Sequence, residues 1–326
     1  MGIRMNVAIV GSNFGLRGYL PAINKIRGLN VKIVCSRNKN KIHFKEVGNF
    51  EHETNWKNIF KKNIDLIILA VPPKLQEQII LYNLRYKKKI IFEKPISSNY
   101  LTSKKIVEKL KMNKIKSDIN LTYLNHPLFQ KTKKIIDNKS LGKVINYNIY
   151  WDFVSSDFNK KIKSWKTDEK NGGGIKNIFL THVLAYSEYF FNKIDLKESN
   201  IKFSKFKGLK YKKLISIKLG NPGEIKGDVL IFTKKKGFQS HKIDINFTNG
   251  RLLLFTKSKD WTKNFVLKIY YNKTKKIKIY KIMKKNSFQD GRSNQIFTMI
   301  KNFLKKNDYS KIDYCLNAEK LNKTIN

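Results

Sequence analysis

The apolar run Ile90-Ile91-Phe92 ends abruptly in Glu93-Lys94-Pro95. In open α/β sheets ligands bind outside the carboxyl ends of the strands, so charged side chains at such a point are placed for chemistry. Pro95 offers no backbone donor and keeps Lys94 out of the helical region, so the chain must break there. The Lys94 ammonium is suited to favour a developing oxyanion. Taken alone, these residues read equally well as a strand that ends in solvated charge. A second candidate is His182, since an imidazole titrates near neutrality and can take a proton from a hydroxyl. It lies eight residues beyond the last glycine of Gly172-Gly173-Gly174, with Trp165 upstream. Taken alone, His182 is a packed histidine on the apolar face of a helix over 175–191. His126 stands beside Pro127 and reads as a turn or the wall of a cleft. His43, His52 and His241 have no partners in sequence and receive no role.

The third candidate is a loop. Asn6 to Val10 form a short apolar strand, followed by G-S-N-F-G-L from Gly11 to Leu16. Glycines at 11 and 15 flank a tight strand-to-helix turn, which lets backbone amides and a helix N-terminus face a phosphate. The match to G-x-G-x-x-G is imperfect: Asn13 stands at the second glycine and Leu16 at the third. Asparagine tolerates positive φ, so the turn is expected to persist. A second strand, V-K-I-V-C over 31–35, follows at βαβ spacing and ends in Ser36-Arg37. A dinucleotide-binding unit places here an acid for the NAD ribose or an arginine for the NADP phosphate. Only Ser36 and Arg37 are present, which favours NADP over NAD.

The elements around these candidates alternate. A polar helix is expected around 55–62, a buried strand over 64–73 capped by Pro72-Pro73, and a helix over 76–85. The Ile90–Phe92 strand, a helix over 104–111 and a strand over 117–123 complete a doubly wound parallel sheet. Beyond 122 the pattern changes. A helix over 128–137 leads to a strand over 145–151, a charged glycine-rich loop over 165–174, and the helix carrying His182. From 199 to 282 the chain alternates and is rich in Ile, Phe, Tyr and Val, with turn signals at Asn221-Pro222-Gly223 and Thr248-Asn249-Gly250. That predicts an antiparallel sheet, closed by helices over 293–305 and 316–323. The fold class is α/β: a Rossmann domain over 1–122 and an α/β domain over 123–326 with an open, largely antiparallel sheet. The last helices are expected to pack back on the first domain.

The 326 residues allow two domains, each with its own core. No apolar run approaches the roughly 20 residues of a membrane helix, and no membrane partner is expected. The N-terminus enters a strand almost at once, without a signal-peptide core. Met1-Gly2 opens like a myristoylation site, but residue six is Asn, where Ser or Thr is expected. Cys35 and Cys315 make neither a disulfide framework nor a metal cluster, so no metal is expected and the chain reads as cytoplasmic. The net charge of +44 comes from 68 Lys and Arg against 24 Asp and Glu, and only seven of the basic residues are Arg. The lysines are scattered, with short clusters at Lys87–Lys89 and Lys234–Lys236. Arginine, the residue suited to phosphate and base recognition, is scarce. The charge therefore reads as a solvated basic surface in an A/T-biased coding background, without specific nucleic-acid binding.

Together these landmarks resemble the Gfo/Idh/MocA oxidoreductases, the family of glucose–fructose oxidoreductase and inositol dehydrogenase. The resemblance rests on V-A-I-V-G-S-N-F-G-L-R-G-Y-L-P-A-I (7–23), I-L-A-V-P-P (68–73), F-E-K-P-I (92–96), L-G-K-V (141–144) and W-K-T-D with G-G-G and His182 (165–182). It implies that Gly11, Asn13, Phe14, Gly15 and Leu16 cradle a pyrophosphate and that Ser36 and Arg37 meet the adenosine ribose. Ala70, Val71, Pro72 and Pro73 would line the nicotinamide side, with Glu93 and Trp165 also at the cofactor. Lys94 would touch both the nicotinamide ribose and the substrate, and His182 would be the acid/base. The implied cofactor is NADP by preference, or NAD. The implied substrate is a sugar, inositol or related derivative, and the implied assembly a homodimer or homotetramer through the C-terminal sheet. Many members carry an Asp four residues before the histidine and another three after it; here these positions are Ile178 and Ala185. Two other readings stay open: a non-catalytic dinucleotide-binding relative, and a binder of nucleic acid or anionic surfaces based on charge alone.

Overall fold

The computed structural model describes residues 4–37, 48–155, 157, 162, 164–206, 209–221, 224–234, 236–259, 264–282 and 288–325. Its first sheet is built from β1 (Met5–Val10), β2 (Leu29–Cys35), β3 (Glu51–Glu53), β4 (Leu66–Leu69), β5 (Lys89–Glu93) and β6 (Ser117–Asn120). All neighbours pair in parallel, in the order β3-β2-β1-β4-β5-β6. Strands covered on both faces must be apolar throughout, which is why β4 reads Leu-Ile-Ile-Leu and is buried at every position. The short strand β3 has no counterpart among the sequence expectations. Glu-His-Glu carries no apolar pattern, and only its pairing with Ile33–Cys35 at the sheet edge makes it a strand.

The crossovers are helical. Helix α1 comprises Ser12–Phe14, a π-helical turn Gly15–Tyr19 and Leu20–Asn24. A 3₁₀ turn Trp56–Lys61 precedes β4, and α2 (Pro73–Asn83) and α3 (Tyr100–Met112) follow β4 and β5. Proline at the first position of α2 is pre-set for a helix start, which moves that helix three residues earlier than periodicity suggested. A late helix, α6 (Arg292–Lys305), joins this unit. Its Ile296, Met299, Ile300 and Phe303 complete a core with Val7, Ile9, Tyr19, Leu20 and Ile23. Burying each such side chain is worth about 1.5–3 kcal/mol. The compact unit consists of Met1–Thr122, Lys170–Gly172 and Asn286–Leu316.

The second unit consists of Tyr123–Glu169, Gly173–Lys285 and Asn317–Asn326. It holds α4 (Pro127–Asp137), β7 (Val144–Phe153) and α5, in which a π-turn Lys176–Leu180 leads into Thr181–Phe191. Then come β8 (Asp195–Phe206), β9 (Leu209–Gly220), β10 (Lys226–Thr233), β11 (Gln239–Phe247), β12 (Gly250–Ser258), β13 (Val266–Tyr271) and β14 (Ile277–Lys281). A final helix, α7 (Ser310–Thr324), runs from the first unit into the second. The eight strands lie in the order β14-β13-β12-β11-β7-β10-β9-β8. The sheet is mixed rather than purely antiparallel. Strand β7 inserts between β11 and β10, antiparallel to the first and parallel to the second. Thr248-Asn249 forms the two-residue turn between β11 and β12, whereas Pro222 and Gly223 lie outside the described residues, as do Lys235 and His43.

Alternation decides the buried face. Along β10, Gly227, Val229, Ile231 and Thr233 are buried while Lys226 and Asp228 are exposed. Aromatic rings join that face to α5: Tyr147 stacks on Phe191 at 4.0 Å, and Trp151 meets Phe179 edge-on at 5.3 Å. No helix among the described residues is long and apolar enough to cross a membrane.

Candidate functional site

Gly11 follows β1 with φ +105°, and a Cβ added there would lie 2.2 Å from the Ala70 carbonyl oxygen. Its N–H donates to the Cys35 carbonyl at 2.9 Å, and the Ala70 N–H donates to the Val10 carbonyl at 2.8 Å. The carboxyl ends of β1, β2 and β4 thus draw together over one residue that has no room for a side chain. Gly11→Ala is expected to destabilise the protein by roughly 2 kcal/mol or more, from left-handed backbone and overlap together, read as a lowered urea midpoint.

The remaining loop positions differ from the sequence expectation. Gly15 is helical, with φ −54° and ψ −48°, and contributes space: a Cβ there would meet Ile9 Cγ2 at 2.5 Å. Asn13 is helical and exposed, so the left-handed backbone anticipated for it is not used, because Gly11 alone makes the turn. Leu16 is 8% exposed and packs into the core, leaving only its backbone for a ligand. Among the described residues, no side chain caps the first amides of α1. Uncapped amides at a helix start beside a glycine turn fit a pyrophosphate.

Phe14 is held between two partners. Tyr19 meets it edge-on at 5.5 Å, and the Arg292 guanidinium lies 4.0 Å from its ring centre. Arg292 is bidentate to Asp290, at 2.8 Å from Nε to Oδ1 and 2.6 Å from Nη2 to Oδ2, and Arg17 Nε lies 3.2 Å from the same carboxylate. Burial pushes the Asp290 carboxyl up, but the hydrogen bonds and charge of Arg292, with the charge of Arg17, outweigh it and hold the group below its ordinary range. Two of the seven arginines therefore gather at the loop. Neither Arg17 nor Arg292 stands out in the sequence, because their meeting depends on α6 docking on α1.

Ser36 is half-buried and Arg37 exposed. The Ser36 N–H donates to the Glu53 carbonyl at 3.0 Å, and Ser36 Oγ lies 3.0 Å from His52 Nε2. The pairing of β3 with β2 brings His52 there. Ala70 and Val71 are half-buried, Pro72 is exposed, and Pro73 is buried in the first turn of α2.

Glu93 ends β5 and is half-buried. Oε1 accepts from Tyr19 Oη at 2.6 Å and from Asn120 Nδ2 at 2.8 Å. Burial raises this carboxyl above its ordinary range; the Tyr19 and Asn120 hydrogen bonds and the charges of Lys94 and Arg292 only partly offset that. The Lys94–Pro95 peptide is cis. Gln76 of α2, fully buried, stitches the turn: Nε2 donates to the carbonyls of Glu93 (2.7 Å), Pro95 (3.0 Å) and Ile96 (3.0 Å), and Oε1 accepts from the Glu93 N–H (2.9 Å). Tyr19, Gln76 and Asn120 escaped the sequence reading, since no local pattern marks a polar residue that serves a distant turn. A raised carboxyl disfavours the folded state once it must ionise. Glu93→Gln keeps an acceptor for Tyr19 and Asn120, so it is expected to raise the thermal midpoint at pH 7–8 and to change little near pH 3, well below the ordinary carboxyl range, where the group is protonated folded or unfolded. Equal shifts at both pH values would contradict this.

In the second unit, Trp165 opens a 3₁₀ turn capped by Ser164, whose Oγ accepts from the Lys166 N–H at 3.3 Å. His182 is the second residue of the regular part of α5 and is 6% exposed, with Tyr123 edge-on at 5.4 Å. Behind Tyr123 lies His241, which the sequence left without a role. Its Nδ1 is 3.3 Å from Tyr123 Oη, its Nε2 is 2.9 Å from Tyr186 Oη, and its ring stacks on Trp151 at 4.5 Å. Burial, with His126 nearby, lowers His241 to about 3. His126 caps α4 by accepting from the Leu128 N–H at 3.3 Å, and burial lowers it to about 3 as well. Both stay neutral at working pH and serve as hydrogen-bonding and packing groups. Ala185 is fully buried and Ile178 half-buried within the π-turn. Among the described residues, no group of three or more His, Cys, Asp or Glu could hold a metal.

Comparison with known proteins places this arrangement. Residues 5–118 match the oxidoreductase family's NAD-binding Rossmann fold, and residues 133–315 match the same family's C-terminal alpha/beta domain. An oxidoreductase from Formosa agariphila is 24% identical over 204 residues, 60% of this chain and 63% of that protein. A levoglucosan dehydrogenase from Pseudarthrobacter phenanthrenivorans is 26% identical over 144 residues, 43% of this chain and 37% of that protein. The chain thus spans less than two thirds of the length of either relative. Among solved structures, a 3-ketoreductase from Actinomadura kijaniata in complex with NADP and TDP-benzene superposes with a TM-score of 0.81 at 13% identity, covering 99% of this chain and 97% of that one. An oxidoreductase from Agrobacterium radiobacter in complex with NAD+, L-tartaric acid and magnesium gives a TM-score of 0.82 at 14% identity, covering 99% and 95%. At such identities these two speak for the fold. The two matched domains, of which the second alone spans more than half of the chain, show that the protein belongs to the Gfo/Idh/MocA oxidoreductase family, with an NAD-binding Rossmann fold followed by a C-terminal α/β domain.

Proposed function

We propose that this protein is an NADP-preferring oxidoreductase acting on a hydroxyl or keto carbon of a sugar, inositol or sugar derivative. The observation that carries the reading is the uncapped start of α1 beside Gly11, in a chain whose β2 ends in Ser36-Arg37 and not in an acid. When bound, the nicotinamide dinucleotide supplies or accepts the hydride. The chain's own residues do the rest. Backbone amides at Ser12–Phe14 receive the pyrophosphate, and Arg37 with Ser36 meets the ribose phosphate. Lys94 orients the substrate oxygen and favours negative charge on it. His182 takes the hydroxyl proton in oxidation and returns it in reduction. A sugar-like substrate is supported by the levoglucosan dehydrogenase to which part of the chain is similar. Both cysteines are buried and take part in no disulfide among the described residues, and burial pushes Cys35 up to about 12, which suits a reducing cytoplasm. Self-association through the second sheet belongs to the same reading, and sedimentation equilibrium reports it.

The test is a thermal-shift titration with NADP⁺, NADPH, NAD⁺ and NADH, followed by NADPH oxidation with a panel of keto sugars. A ligand that binds only the folded state raises the midpoint as its concentration rises. Larger shifts with NADP(H) and turnover with one panel member are expected. No shift with any dinucleotide would overturn the reading. Ile178 and Ala185, at positions where many relatives carry acids, favour a second reading of binding without turnover. A shift with NADP(H) but no turnover across the panel would select it.

A further inference from the structure

Two π-turns interrupt the helices that carry candidate site residues: Gly15–Tyr19 inside α1, and Lys176–Leu180 immediately before Thr181 and His182. A π-turn holds one extra residue, so everything after it is rotated by about 100° relative to an unbroken α-helix. In α1 the cause is local. Pro21 lacks an N–H, and in a regular helix its ring would collide with the Arg17 carbonyl. No proline lies near the second turn, which is held by side chains instead.

The Lys176 carbonyl is the focus of that hold. It accepts the Thr181 N–H, the Thr181 hydroxyl at 3.3 Å and Asn322 Nδ2 at 3.2 Å. Asn322 Nδ2 also donates to Thr181 Oγ1 at 2.8 Å, and the Lys176 ammonium bonds the Ile325 carbonyl. Asn322 sits on α7 and is 2% exposed. Its orientation is set, because a carbonyl can only accept and so both amide hydrogens are used. Its Oδ1 is then buried without a partner among the described residues, a cost that the two donations must offset. An apolar residue here would avoid that cost but would leave the π-turn unclasped.

We infer that Asn322 is a positioning residue that clasps the π-turn Lys176–Leu180 and thereby sets the direction in which His182 is presented. The inference rests on the reading of His182 as the acid/base. Without the clasp, the segment is free to return to regular α-helix, which turns His182 about the helix axis.

The experiment compares Asn322→Leu, Thr181→Val and a control, Asn317→Ala. The control removes a different hydrogen bond between α7 and α5, from Asn317 Nδ2 to Glu188 Oε1 at 2.5 Å. Three quantities are read: amide hydrogen exchange over 176–182, the pH titration of the His182 imidazole by NMR, and the midpoint shift with NADP⁺. In Asn322→Leu, exchange is expected to quicken about tenfold or more and the His182 titration to move, with the NADP⁺ shift retained. Thr181→Val should move both in the same direction, and Asn317→Ala should move neither. Unchanged exchange and titration in both Asn322→Leu and Thr181→Val overturns the inference, as does an equal change in Asn317→Ala, which would mean only loosened docking of α7. Altered exchange and His182 titration, with turnover of the best keto sugar unchanged, keeps the clasp and removes the acid/base reading. Loss of the NADP⁺ shift in the unaltered protein removes the dinucleotide reading while leaving the clasp in place.

Discussion

Replacing His182 by glutamine is expected to lower kcat by about 10²- to 10⁴-fold while leaving the thermal shift with NADP⁺ unchanged. Glutamine keeps a polar side chain of similar size but cannot exchange a proton near neutrality, so the loss falls on the chemical step. The pH dependence of kcat should lose one limb at the same time. The other two histidines of this unit offer no substitute. Burial holds His126 and His241 down at about 3, so each stays neutral throughout the working range. Conservative changes at His126 or His241 are accordingly expected to leave that limb in place. Steady-state kinetics across pH 5–9 make the comparison. A His182→Gln protein that turns over as fast as the unaltered one would remove the histidine from the chemistry.

Replacing Lys94 by alanine is expected to lower kcat by about 10²- to 10³-fold, through loss of the charge that stabilises a developing oxyanion. The effect should be chemical rather than structural. The backbone of the Glu93–Ile96 turn is held by Gln76, whose amide bonds the Glu93 N–H and the carbonyls of Glu93, Pro95 and Ile96, and none of these contacts uses the lysine side chain. Lys94→Arg should restore little, because a broad planar fork on a three-methylene stem does not occupy the site of a compact ammonium on a four-methylene one. Single-turnover rates at saturating NADPH separate the chemical step from binding. Loss of the dinucleotide shift in Lys94→Ala, with the thermal midpoint intact, would instead make Lys94 mainly a cofactor ligand.

Much of the fold was legible because it is written in short-range pattern. The Leu66–Leu69 run and the strand before Glu93 are apolar at consecutive positions, as strands covered on both faces must be. The alternation in β10 likewise announced a sheet with one buried face. Pattern was silent where position depends on partners. Glu51–Glu53 is a strand only because β2 lies beside it, and β10 pairs with β7 only because β7 inserts between it and β11. The phosphate loop shows the same limit within a few residues. Gly11 was correctly marked as a turn, yet Gly15 serves for space and Leu16 for the core, which become visible only with Ile9 and α6 packed around them.

The sequence by itself determined the alternation of strands and helices up to residue 122 apart from β3, the two-glycine loop, the Glu93-Lys94-Pro95 strand end and a histidine on a helix after the glycine run. Each is a matter of residue type and spacing along the chain, where backbone sterics and periodicity act locally. The tertiary structure alone decided what surrounds them: Tyr19 and Asn120 on Glu93, Arg292 on Phe14, His52 on Ser36, and Asn322 on the turn before His182. Those contacts join residues far apart in sequence, except for the Ser36–His52 pair sixteen apart. Buried polar groups must find partners wherever packing places them, and no spacing rule along one chain encodes which partners those will be.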